Sequence, residues 1–145
     1  MKGIAEPISL KEKKTHFRNL VALARIDGHF HEDEKALICT LGKRYALREK
    51  QLREILDESQ PAIATVPTDR RQQLDQLRDL VLLMLADGYV VEKEMIFCKE
   101  IASQYGFGQH VIEKLVQWVE EEPVSGATWH ENREGLLEIN KSLAS

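Results

Sequence analysis

The sequence predicts an all-α protein. It should be a helical bundle of about seven helices, two duplicated three-helix repeats in pseudo-twofold relation followed by a C-terminal helix. Three observations predict it. Apolar residues recur every three or four positions along most of the chain. The stretch Ile26-Asp27-Gly28-His29-Phe30-His31-Glu32-Asp33-Glu34 returns sixty positions later as Ala86-Asp87-Gly88-Tyr89-Val90-Val91-Glu92-Lys93-Glu94. Helix-start signals and proline- or glycine-containing connectors divide the chain at matching places.

Taken in order, residues 1–8 read as a loose arm ending at Pro7. Ser9 with Glu12 forms a capping box, in which the hydroxyl accepts an amide N–H of the new helix and the carboxylate reaches back. Phe17, Leu20, Val21 and Ala24 then define a buried stripe, and Gly28 can take the left-handed conformation that ends such a helix. A second helix runs from about Glu32 to Tyr45 with Leu37, Ile38, Leu41 and Tyr45 inward. A third, near 48–57, carries Leu52, Ile55 and Leu56. The span 58–68, with Pro61 and Pro67, is a connector.

The pattern restarts at Asp69, an N-cap followed three residues on by Gln72. Helix four bears Leu77, Leu80, Val81 and Met84, together with Leu82, Leu83 and Leu85. Apolar nearly all round, it is either the central helix or half of a dimer contact. Helix five, from about Glu92, turns Phe97, Cys98, Ile101 and Tyr105 inward. Helix six, after Gly106 and Gly108, carries Val111, Ile112, Leu115, Val116 and Val119. Thr128 and Glu131 open a last helix bearing Leu136, Ile139 and Leu143, with Trp129 placed to pin it onto the bundle. The organisation is a single domain over 1–145, with repeat one about 9–57, repeat two about 69–120 and the final helix about 129–143.

Laying 17–56 over 77–116 without gaps gives nine identical pairs, among them Asp27/Asp87, Gly28/Gly88, Glu32/Glu92, Glu34/Glu94 and Tyr45/Tyr105. Chance at ordinary composition gives about two or three, so the halves read as an internal duplication. Two copies of long period make a pseudo-twofold bundle; a solenoid needs more.

Composition narrows the function. The 145 residues are 43% hydrophobic and 30% charged, as in a globular protein with a real core. A formal charge of -4 argues against nucleic-acid binding, which needs a basic footprint; Lys11, Lys13 and Lys14 read as a solvated helix face. The longest apolar run, Leu80 to Ala86, is too short to span a bilayer, and no apolar signal core opens the chain, so the expected compartment is the cytoplasm. Two cysteines make no disulfide framework. Neither a phosphate-cradling glycine loop nor a nucleophile elbow nor an HExxH-type helix occurs, so a non-enzymatic protein is expected ahead of a metal-dependent hydrolase.

The repeated turn keeps its acids. Glu34 precedes Leu37, Ile38, Leu41 and Tyr45 by 3, 4, 7 and 11 residues, which places it on the midline of the apolar face; Glu94 stands likewise before Phe97, Cys98, Ile101 and Tyr105. Asp27 and Asp87 fall near the edge of the preceding stripes. Four inward carboxylates need partners. Two readings stand. In one, they satisfy amide groups of the turn and of the first helical turn. In the other, they hold a cation, and an oxygen-only set suits Ca²⁺ or Mg²⁺. The spacing is not that of an EF-hand. His29 and His31 with Asp27 and Glu34 could form a Zn²⁺ or Ni²⁺ ligand set, but a spacing of two points side chains apart in an extended loop and the second copy has Tyr89 and Val91, so exposed loop histidines are expected ahead of it. His16, His110 and His130 are scattered and suggest no site.

At these residues the chain resembles the tellurite-resistance TerB-like family, which includes the N-terminal region of a membrane-anchored DnaJ-type co-chaperone. Ala86-Asp87-Gly88-Tyr89-Val90 with Glu94, and Asp27-Gly28-His29-Phe30 with Glu34, carry the resemblance within helices of matching length over roughly 9–120. Two departures are Ile26 where the second copy has a small residue, and His31 and Val91 at the N-cap positions. The resemblance implies an all-α fold of two helical repeats and a non-enzymatic binding domain linked to metal ions and stress response. It points to Asp27, Glu34, Asp87 and Glu94, with Glu32 and Glu92 nearby, as the cation site. Protein partners are implied, and either a monomer or a homodimer fits. The alternative is an interaction or co-chaperone-type scaffold whose acidic turns hold no metal.

Overall fold

The computed structural model describes residues 9–26, 32–57, 69–86, 90–121, 129 and 131–138, helical apart from short turns and with no strand among them. Six helices follow in order: α1 (Leu10–Ala24), α2 (Glu32–Arg44), α3 (Glu49–Asp57), α4 (Arg70–Met84), α5 (Glu92–Gln104) and α6 (His110–Glu121). A further helical stretch, α7, covers 131–138. This is the all-α bundle that the apolar periodicity predicts. α1 and α4 are each 15 residues long, and α2 and α5 each 13.

Local chemistry sets where the helices start. The Ser9 hydroxyl accepts the Glu12 amide at 3.1 Å and donates to the Glu12 carboxylate at 3.2 Å. The Glu12 carboxylate therefore meets the hydroxyl. The Asp69 carboxylate accepts the amides of Arg71 and Gln72 at 2.8 and 3.3 Å, which satisfies two amides that α4 leaves unbonded. Val91 precedes α5 without a side-chain cap, as an apolar residue must. The connector 58–68, Gly28, Gly88, Thr128, Ile139 and Leu143 lie outside the described residues.

Two helix ends share one device. After α2, Leu47 N–H bonds the Gly42 carbonyl at 2.9 Å and Ala46 N–H the Lys43 carbonyl at 3.0 Å. After α5, Phe107 N–H bonds Ala102 and Gly106 N–H bonds Ser103, both at 2.9 Å. This paired pattern requires a left-handed residue just past the helix, and Ala46 (φ 59°) and Gly106 (φ 84°) supply it. Leu47 and Phe107 then turn inward and are buried.

α4 packs against α1, α2, α5 and α6. Its apolar circumference is explained by that central place, with Leu77, Leu80, Val81, Leu83 and Met84 all at 1% exposure or less. One buried cluster joins these to Phe17, Leu20 and Leu23 of α1, Ile38 and Leu41 of α2, Ile55 of α3, Cys98 and Ile101 of α5, Ile112 of α6 and Leu136 of α7. A fully buried leucine contributes about 2 kcal/mol by transfer alone, so this cluster is the main source of stability. No helix among the described residues is long and apolar enough to cross a membrane.

Candidate functional site

The two expected glutamates sit alike. Glu34 and Glu94 lie in the first turns of α2 and α5, and each is only 4% exposed. Their depth follows from the periodicity, because each stands one turn before a buried stripe (Ile38 and Leu41, or Cys98 and Ile101). A helix start favours negative charge at this position. Both carboxylates engage neighbours. Glu32 and Glu92 are exposed, and Glu32 meets Lys35 at 3.4 Å. Asp27 and Asp87, like His29 and His31, lie outside the described residues. Among the described residues no three histidine, cysteine or acidic side chains converge as a metal cluster would require.

Glu94 also marks its surroundings. Burial, and then the nearby Glu94 charge, push the Cys98 thiol up to about 12. Cys98 is therefore a small core residue and an inert thiol, while Cys39 is exposed.

A second polar centre was not visible from the repeated turn. Asp79 of α4 is 3% exposed, and its Oδ2 accepts the Tyr45 hydroxyl at 2.7 Å and meets His16 Nε2 at 2.9 Å. A carboxylate oxygen only accepts, so Nε2 of the 1%-exposed His16 carries the proton, and its Nδ1 is left without a partner. Rings lock the triad: His16 meets Phe17 edge-on and Tyr45 tilted, with centroids 5.4 Å apart in both pairs. Burial, then the Asp79 charge and hydrogen bond, raise the Tyr45 hydroxyl far above its ordinary range, so it stays a donor. Across the bundle, Tyr105 donates to the buried Gln76 at 2.8 Å.

Next to this triad, Asp75 of α4 collects the C-terminal segment. Trp129 Nε1 donates to Asp75 Oδ1 at 2.8 Å, and Arg133 Nη1 meets both Asp75 oxygens at 2.9 and 3.0 Å. Trp129 thus pins α7 onto the bundle, as its place in the sequence suggests. The Arg78 guanidinium lies over the Trp129 ring at 5.1 Å. These side chains, with Arg44, Tyr45 and Asp79, line a pocket of about 400 Å³.

The signal for this centre was present in the sequence. Gln72, Asp75, Gln76 and Asp79 stand at helical spacing beside the leucines of α4, and Glu12, Thr15, His16 and Asn19 match them sixty positions earlier. A polar stripe on a central helix has to find partners.

The class these features define is an all-α bundle with acidic helix starts and a mixed-charge pocket. The same fold occurs in a tellurite resistance protein of Nostoc punctiforme. The two superpose with a TM-score of 0.62 at 21% identity, over 93% of this chain and 85% of that one. No protein-family model matches the chain. No curated protein matches it either.

Proposed function

We propose that this chain is a non-enzymatic, TerB-like binding domain. In this reading Asp27, Glu34, Asp87 and Glu94 hold a divalent cation, Ca²⁺ or Mg²⁺ by their chemistry, and the domain engages protein partners in the cytoplasm during tellurite or metal stress. The observation that carries it is the burial of Glu34 and Glu94, each 4% exposed, in the first turns of α2 and α5. A carboxylate at that depth must be compensated by donors or positive charge. A carboxylate has about four acceptor sites, and in this reading a cation shares them with the neighbours each residue engages. The fold shared with a protein named for tellurite resistance supports the same class.

The two halves are copies in this reading, α1–α3 and α4–α6. The equal lengths of α1 and α4 and of α2 and α5, and the paired left-handed ends after α2 and α5, support it; α3 and α6 differ, at 9 and 12 residues.

A partner-binding scaffold without metal is the second reading. It is favoured by Val90 and Ile96, large apolar side chains 45% and 48% exposed around the start of α5.

Equilibrium dialysis of the chelator-treated protein against Ca²⁺ or Mg²⁺ tests the cation site. The Glu34→Gln/Glu94→Gln double variant, and separately Asp87→Asn, should lose the bound ion while circular dichroism retains the helical signal. Full cation binding by the double variant would show the assignment to be wrong.

A further inference from the structure

The pocket between α4 and the C-terminal segment carries more positive charge than its own carboxylates use. Three guanidinium groups, Arg44, Arg78 and Arg133, face two acids, Asp75 and Asp79. Both acids are already engaged: Asp75 by Trp129 and Arg133, Asp79 by Tyr45 and His16. Among the described residues, Arg44 and Arg78 are left over. In a chain of formal charge -4, this is a local reversal of sign.

Arg78 is the more telling of the two. It is half-buried, its Nε has no acceptor, and among the described residues its one specific contact is the face of Trp129. Burial lowers its proton affinity, and the Arg44 charge adds to this against the opposing pull of Asp79. Half-buried arginines ordinarily find a carboxylate or a carbonyl. Arg70, on the same helix, does: it donates to the Gln73 side chain at 3.0 Å and the Tyr105 carbonyl at 2.8 Å. Arg78 instead lines open space.

That space has the size of a small-molecule site. A smaller adjoining cavity of about 160 Å³ shares Tyr45 and Asp75 and adds Gln72 and Gln76. The missing component is an acceptor with negative charge.

We propose that this pocket binds a small oxyanion, the carboxylate or phosphate group of a soluble ligand, held by Arg44 and Arg78. Guanidinium forks match either group through paired N–H donors. Tyr45 and Asp79, tied together and to the buried His16, line the site of the ligand. Trp129 and Arg133 line it as well, so a bound anion ties the C-terminal segment to α2 and α4. The adjoining cavity takes the uncharged remainder of the ligand. This pocket shares no residue with the proposed cation site, so the two proposals stand or fall separately.

Isothermal titration calorimetry and thermal unfolding, with chelator-treated full chain at constant ionic strength, test it. The probes are inorganic phosphate and succinate, with chloride as the reference. Phosphate stabilises many proteins weakly by exclusion, without saturation, so a saturable response is the readout. A response to phosphate alone assigns a phosphate-bearing ligand, and a response to succinate alone assigns a carboxylate. In either case Arg44→Met and Arg78→Met should weaken binding by about tenfold or more. Arg53→Met, at an exposed pair with Glu49 on α3, should leave binding unchanged. Arg44 is exposed, so R44M keeps the test valid even if R78M folds poorly. No saturable response to either anion, or equal affinity in R44M and the parent, overturns the proposal.

Discussion

Replacing Asp79 by alanine isolates the part of the core that hydrophobicity does not explain. The substitution removes the acceptor shared by His16 Nε2 at 2.9 Å and the Tyr45 hydroxyl at 2.7 Å. His16 is 1% exposed, so no water can replace the lost oxygen without opening the core. A buried donor left this way costs about 1–3 kcal/mol. Tyr45 is only half-buried and lines the pocket, so water can reach its hydroxyl and the loss there is nearer 1 kcal/mol. Relief of the buried carboxylate's own desolvation works in the opposite direction. The two losses sum to about 2–4 kcal/mol before that relief, so the net expectation is a destabilisation of about 1–3 kcal/mol. Asp79→Asn keeps one acceptor and should cost about half as much. Tyr45→Phe deletes only the outer bond and should cost about 1 kcal/mol. Urea unfolding at pH 7, with an unchanged slope across the series, reads these values. If Asp79→Ala falls within about 0.5 kcal/mol of the parent, the triad is not a structural unit.

Two further expectations come from the same geometry. Ala46 (φ 59°) and Gly106 (φ 84°) occupy equivalent left-handed positions, so Ala46→Gly should stabilise and Gly106→Ala destabilise by about 1 kcal/mol each; same-sign shifts would refute the shared helix end. The Cys98 thiol, pushed up to about 12 by burial and then Glu94, and the tyrosines Tyr45 and Tyr105, raised first by burial, keep their protons longer folded than unfolded. Stability is therefore full below about pH 9 and falls as the pH rises toward 12. The urea midpoint should drop between pH 8 and 10.5, and in native protein a thiol reagent should label Cys39 but not Cys98; a flat midpoint or two reactive thiols would contradict this.

The fold was legible because its determinants are local and periodic. Phe17, Leu20, Val21 and Ala24 mark one face of one helix, and each is 2% exposed or less. The Asp69 cap could be read from Asp69 with Gln72 three residues on, where the helical pattern restarts. Helix four left two explanations open, and only the packing of α4 against four neighbours favours the central one. Glu34 and Glu94 were placed inward by counting residues along a helix, and they are inward. The His16–Asp79–Tyr45 triad was not found, because its members stand far apart in sequence and meet only through the crossing of α1, α2 and α4. His16 read alone is a lone histidine, while its meaning lies in Asp79, sixty-three residues away. The pocket was missed for the same reason, since Arg44, Arg78 and Arg133 belong to three separate elements. Periodicity shows which face a side chain takes, and helix packing shows which other side chain it meets there.

Thermal unfolding of the chelator-treated protein, titrated with Ca²⁺, Mg²⁺, Zn²⁺ and Ni²⁺, tests the central claim most directly. An ion that binds only the folded state raises the midpoint saturably, by about 2.7 kcal/mol of stability at a hundredfold excess over its dissociation constant. The account predicts such a response to Ca²⁺ or Mg²⁺, lost in the Glu34→Gln/Glu94→Gln variant. A midpoint that no ion moves would leave the four carboxylates as parts of the helix turns, and would contradict the account.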